Sequence, residues 1–230
     1  MVKKMKKIIT IILAIACAFT LFSCGGGVSA TIDDIDSMYN AVTPSRSEVT
    51  VTKAFGKFVL KTTSTLVIGE VDGFRVTTFN QTVDKPNEID ESVNAIILGA
   101  IGTEAFSWVY HEDLGYKENG GKWNLEAADP TPETGAIALN LSSSTVEEFN
   151  NDEENKVITF IVLPENSEEV FGYELPSNAS VTIVHSGADI ASVKIEYTET
   201  YPDLDNELYP EIAVTIEAKY SYVTQPVDFK

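Results

Sequence analysis

The chain has 230 residues, with 35 acidic against 16 basic side chains and a formal net charge of −19. So negative a balance repels nucleic acid and anionic headgroups, and it excludes roles that depend on charge attraction to either. Hydrophobic residues at 43%, aromatics at 10%, can build a core, which excludes wholesale disorder; the length fits one domain or two small ones.

The start is strongly patterned. Lys3, Lys4, Lys6 and Lys7 form a basic stretch, and residues 8–22 are almost wholly apolar. That run suits the apolar core of a signal peptide and is short for a membrane span, which needs about 20 residues. It ends in Leu21-Phe22-Ser23-Cys24, followed by three glycines. The motif resembles the lipobox of bacterial lipoproteins: a branched apolar residue three before the cysteine and a small residue just before it. The resemblance implies a diacylglyceryl group on the sulfur of Cys24 and cleavage before it. Leu21, Phe22 and Ser23 would then be the end of a signal peptide over 1–23. Two or three acyl chains anchor firmly, since each buried CH₂ contributes about 0.8 kcal/mol. The expected location is the extracytoplasmic face of a cell membrane, reached through the lipid.

Removing 1–23 takes four lysines and no acid, so the basic count drops from 16 to 12 against 35 acids and the charge moves to −23. Cys17 leaves with the signal and Cys24 is acylated, so no disulfide is expected. Residues 24–30 read as a flexible tether. Its six residues from Gly25 span at most about 20 Å, and 31–230 reads as one domain.

Ile32, Ile35, Met38, Tyr39 and Val42 share one helical face, with Thr31 as N-cap and Pro44 as stop. From Glu48 the period is two. Phe58, Leu60, Thr62, Ser64, Leu66 and Ile68 lie on one side of a long strand. Asp72-Gly73 is the strongest hairpin signal in the chain. A two-residue turn there pairs Val71 with Phe74, Glu70 with Arg75, Leu66 with Phe79 and Thr62 with Val83. Val93, Ile96, Ile97, Ala100 and Ile101 then form the stripe of a helix over about 88–106.

Residues 107–125 read as two strands around Glu118-Asn119-Gly120-Gly121, and 126–135 as a loop broken by two prolines. Ile137, Leu139 and Leu141 alternate. Residues 150–155 read as an acidic turn into a β-branched strand over 156–163, and 165–171 as one helical turn. Strands follow around 181–184, 193–198 and 212–220. The last two carry the cleanest in–out alternation, which belongs to an antiparallel sheet with one wet face. The expected fold class is α+β: a large curved antiparallel sheet, half-barrel-like, with one or two helices on its apolar face. The alternative is an all-β sandwich.

A tethered chain with a short leading helix, long meandering strands, a mid-chain helix and a final run of strands is similar to the half-barrel lipoproteins of the LolA and LppX type. That resemblance is one of layout over 31–230 and carries no signature motif. It implies an apolar cavity for lipid acyl chains between sheet and helix. The candidate lining, read from the strand and helix stripes, is Phe58, Leu60, Leu66, Phe79, Ile97 and Ile101.

Catalytic signals are sparse. His111 and His185 are the only histidines, no Gly-x-Ser-x-Gly elbow and no phosphate-cradling glycine loop occur, and no cysteine nucleophile survives maturation. Two distant histidines are too few for a zinc site. Asp203, Asp205 and Glu207 carry oxygens at every second residue, as calcium loops do, yet lack the glycine and the closing bidentate glutamate; a solvated acidic loop explains them as well. No cofactor is expected. Trp108, Tyr110, Tyr116, Trp123, Tyr197, Tyr201, Tyr209, Tyr220 and Tyr222 either pack the sheet or line a groove. The expected function is a non-enzymatic lipoprotein that binds or carries a lipid or other hydrophobic ligand, with no nucleic-acid partner. The alternative is a surface adhesion module for a protein or polysaccharide, marked by an aromatic patch on the outside.

Overall fold

The computed structural model describes residues 30–41, 43–55, 58–71, 74–84, 105–111, 114–126, 136–186, 189–200 and 211–223. The signal and lipobox, the 88–106 stripe up to residue 104, the Asp72-Gly73 turn and the acidic 203–207 segment lie outside the described residues. The chain divides into residues 1–30 and a compact unit over 31–230.

Among the described residues, eleven strands form one open antiparallel sheet. They are β1 (Arg46–Phe55), β2 (Phe58–Val71), β3 (Phe74–Asp84), β4 (Phe106–His111), β5 (Leu114–Asn119), β6 (Lys122–Glu126), β7 (Glu147–Asp152), β8 (Val157–Val162), β9 (Ala179–Ser186), β10 (Asp189–Glu199) and β11 (Ile212–Ser221). Their order across the sheet is β6-β5-β4-β3-β2-β1-β11-β10-β9-β8-β7. Two meanders therefore meet at a seam. β1 to β6 run outward from the middle, β7 to β11 run inward, and β1 pairs with β11 over Arg46–Ser221 to Ala54–Ala213. The described strands form a single sheet, so the sandwich alternative is not what these residues build.

The β2–β3 register is the predicted one, with Val71 opposite Phe74, Leu66 opposite Phe79 and Thr62 opposite Val83. What read as one long strand from Glu48 is a hairpin, β1 folding onto β2 with Phe55 opposite Phe58. Period-two alternation continues on both sides of a tight turn, so it does not reveal the break. The 107–125 segment gives three strands rather than two. Gly120 (φ 61°) and Gly121 (φ 80°) make the predicted turn, and both positive angles suit a two-residue hairpin loop. A further reversal falls between β4 and β5. The acids read as a turn are partly strand β7, and the turn follows at 153–156, where the Asp152 carboxylate accepts from the Asn155 backbone N–H at 3.0 Å.

Two helices occur among the described residues, α1 (Ile32–Ala41) and α2 (Pro164–Phe171). Thr31 caps α1 reciprocally: its hydroxyl accepts from Asp34 N–H at 3.3 Å, and Asp34 Oδ2 accepts from Thr31 N–H at 2.8 Å. α2 is longer than the single turn expected. Pro164 starts it with φ already suited, and Gly172, at φ 79°, ends it by donating its N–H to Glu168 O.

Candidate functional site

Cross-strand register decides which side chains share a face. One rung runs Phe160, Val181, Ile195, Ile216, Val51, Thr62, Val83 across seven adjacent strands. The next runs Ile158, Ile183, Val193, Ala218, Val49, Ser64, Gln81, Phe106. Tyr220, beneath α1, belongs to the same face, so this is the helix-bearing side. In its β8–β11 half, Phe160, Val181, Ile183, Val193 and Ile195 are apolar and fully buried.

A strap and two helices dress that half. Tyr39 of α1 donates its hydroxyl proton to Ile137 O at 2.7 Å, and Tyr220 accepts from Ile137 N–H at 2.9 Å. The two phenol oxygens are 2.9 Å apart, and because Tyr39 spends its proton on the carbonyl, Tyr220 donates to Tyr39. Burial first, and the neighbouring Tyr220 second, push the Tyr39 phenol far above its ordinary range. Asp36 accepts from Leu141 N–H at 2.8 Å, and Asn140 N–H donates to Val170 O of α2 at 2.9 Å. Ile137, Leu139 and Leu141 alternate as read, but they form this extended strap and not a sheet strand. Leu139 and Leu141 are buried under it.

The β1–β5 half is richer in aromatics. Leu66, Phe79, Trp108 and Lys117 stand directly across from one another on β2 to β5. Phe79 and Phe106 rings lie 5.4 Å apart, Trp108 stacks on Tyr110 at 5.9 Å, and Lys117 Nζ sits 5.8 Å from the Trp108 centroid. Leu60, Leu66 and Phe79 of the expected lining thus share one face; Leu60 and Leu66 are buried and Phe79 half-buried. The Phe58 side chain, Ile97, Ile101, Leu21, Phe22, Ser23, Cys24, Asp203, Asp205 and Glu207 lie outside the described residues.

One feature of this face has no signal in the sequence. Lys53 on β1, 7% exposed, pairs with Glu199 on β10 at 2.5 Å, spanning β11. Tyr197 donates its hydroxyl to the other Glu199 oxygen at 3.1 Å. The partners are 146 residues apart, so no local spacing announces them. Thr62 and Thr77, also on this face, bury hydroxyl oxygens with no hydrogen-bond partner.

His111 sits on β4 opposite Val76 and Leu114, on the other face, and His185 on β9, well separated from it in the sheet. Among the described residues no three His, Cys, Asp or Glu side chains gather to hold a metal ion, and no helix is long and apolar enough to cross a membrane. No protein-family model matches the sequence, and no curated protein matches it. Among solved structures, the chain is similar to LprF from Mycobacterium bovis, at 11% identity and a TM-score of 0.38, covering 85% of this chain and 93% of that one. It is also similar to the LolA superfamily protein NE2245 from Nitrosomonas europaea, at 6% identity and a TM-score of 0.25, covering 88% and 96%. At such identities and scores the functional reading rests on the residues of this chain.

Proposed function

We propose that this protein is a non-enzymatic lipoprotein, held at the extracytoplasmic face of a membrane by acyl chains on Cys24, that binds or carries a hydrophobic ligand against the helix-bearing face of its sheet. The observation that carries this reading is the convergence of Leu60, Leu66, Phe79, Phe106, Trp108 and Tyr110 on that one face. A broad, largely apolar surface suits acyl chains, whose recognition is by area rather than by hydrogen bonds. The aromatic cluster lies on the helix side, which favours a ligand within the fold over an adhesive outer patch.

Native mass spectrometry of full-length protein, extracted in mild detergent, tests the ligand. Co-purified lipid, reduced in Phe79→Ala, is the expected result; a folded protein that never retains lipid ends the proposal. Metabolic labelling with a palmitate analogue tests the anchor separately. Label should vanish in Cys24→Ala, and label retained there overturns the anchoring.

A further inference from the structure

The two edges of the sheet are built differently. At the β7 edge, the ladder is irregular between Glu147 and Asn150, and Glu148 takes φ 51°. Glu147 and Glu148 are exposed there, and Asp152 closes the strand. An irregular acidic edge resists further pairing.

β6 has no break in its ladder to β5, and its single acid, Glu126, is balanced by Lys122. Lys122, Trp123, Asn124 and Leu125 are all exposed, Trp123 by 39% and Leu125 by 61%, and no described residue pairs with their outer side. The Asn119–Lys122 pair closes the two-glycine turn, so the backbone groups of Lys122, Asn124 and Glu126 face β5. Those of Trp123 and Leu125 therefore point outward.

The short sequence Lys-Trp-Asn-Leu-Glu is complementary to itself when reversed. Two antiparallel copies centred on Asn124 place Trp123 opposite Leu125 of the other copy, twice. They also place Lys122 opposite Glu126, twice. This register satisfies the parity of the edge, because Trp123 and Leu125 are the residues whose N–H and C=O groups are outward. Opposite charges and an aromatic–aliphatic pair directly across are the favourable cross-strand arrangements.

We propose that β6 is a self-association edge, at which a second copy of this chain pairs about a two-fold axis through Asn124 and extends the sheet from one copy into the next. The segment is locally neutral in a chain of net charge −19, so this is a place where two such polyanions meet without like charges opposed. The contact is small, on the scale of a transient rather than an obligate interface. Confinement of both copies to one membrane by the proposed anchor raises their effective concentration. The pairing itself does not depend on the ligand reading.

Cysteine cross-linking of the full-length protein in membranes tests this. At the axis, Asn124 faces its own copy in a non-hydrogen-bonded pair, with Cα atoms about 4.5 Å apart, inside the span a disulfide bridges. Asn124→Cys should give a cross-linked dimer under mild oxidant, while Glu147→Cys at the guarded edge and the wild-type chain should not. Adding Lys122→Glu to Asn124→Cys should lower the cross-linked fraction about fivefold. The further change Glu126→Lys, which reverses both charges, should restore it. No dimer with Asn124→Cys, equal cross-linking at Glu147→Cys, or no rescue by the charge reversal overturns the proposal.

Discussion

The Lys53–Glu199 pair makes a sharp test of how the apolar face is held together. Directly across from Lys53 stand Val214 and Leu60, and across from Glu199 stands Ile212, all three buried. The side chains of the pair are only 9% and 18% exposed. At 2.5 Å the gross attraction is about 6–7 kcal/mol for an effective dielectric constant near 20. Desolvation costs several kcal/mol per ion, so the intact pair contributes little net stability. Removing one partner is different, because the other charge stays among aliphatic side chains. Glu199→Leu should cost about 3–5 kcal/mol, a drop in Tm of roughly 6–20 °C for a domain of this size. Lys53→Met should cost less, since Tyr197 still donates to Glu199. The double variant Lys53→Met, Glu199→Leu should return to within about 1 kcal/mol of wild type, as paired apolar replacement of buried ions generally does. Thermal unfolding of the four proteins closes the cycle. If the double variant loses the sum of the two single losses, the charges are independently solvated and the reasoning fails.

Tyr39→Phe should lower Tm by about 2–8 °C, because it breaks the closed triangle with Ile137 and Tyr220 at a cost of about 1–2 kcal/mol. The fold keeps the Tyr39 phenol neutral far above its ordinary value of 10.0, so its contribution is full below about pH 10 and is lost as pH rises beyond it. Melts between about pH 8 and 11 should therefore show wild type losing stability faster than Tyr39→Phe. At the start of α1, hydrogen bonds from the Thr31 backbone N–H and then its hydroxyl hold the Asp34 carboxyl below its usual range. That stabilisation is present above about pH 4 and is lost as pH falls through the lowered value. Thr31→Ala should cost about 0.5–1 kcal/mol at neutral pH, and the gap to wild type in urea melts should narrow in acid, where the hydroxyl keeps its bond from the Asp34 N–H. A Cβ on Gly172 meets nothing within 4 Å, yet φ is 79°, so Gly172→Ala should cost about 1 kcal/mol from backbone conformation alone, and Gly172→Asn less; denaturant titration distinguishes them.

Local pattern carried far along this chain where one local rule acted alone. The Asp72-Gly73 signal predicts the register that holds over the whole β2–β3 ladder from Val71–Phe74 to Lys61–Asp84, since a two-residue loop leaves no freedom in pairing. Thr31 signalled the α1 cap for a similar reason: its hydroxyl acts three residues away. Alternation by itself does not make a strand. Residues 137–141 alternate because Leu139 and Leu141 face the interior, while their backbone groups go to Asp36, Tyr220 and Val170. Of the expected lining, Leu60, Leu66 and Phe79 fell on one face because parity along a strand and across a known register is enough to place them. The ion pair was invisible because its partners meet only after β1 joins β10 through β11.

That joint is crossed by several side-chain bonds. Each meander is a chain of near neighbours, and among the described strands only the β1–β11 pairing joins the two, closing a loop that runs from Arg46 to Ser221. The entropy of closing so long a loop amounts to roughly 4–5 kcal/mol beyond the constant term, and it falls on a single strand pairing. Three tethers lie on or across that pairing. The Ser45 hydroxyl shares its one proton between the carbonyls of Ser221 and Val223 at 2.9 and 2.8 Å, Tyr39 meets Tyr220, and Lys53 reaches over β11 to Glu199. The same central pairing brings the aromatic rungs of β2–β4 and the aliphatic rungs of β8–β11 onto one continuous face. A surface of that breadth exists only while the seam is closed, so the groups that hold the seam also hold the face on which the proposed ligand would lie.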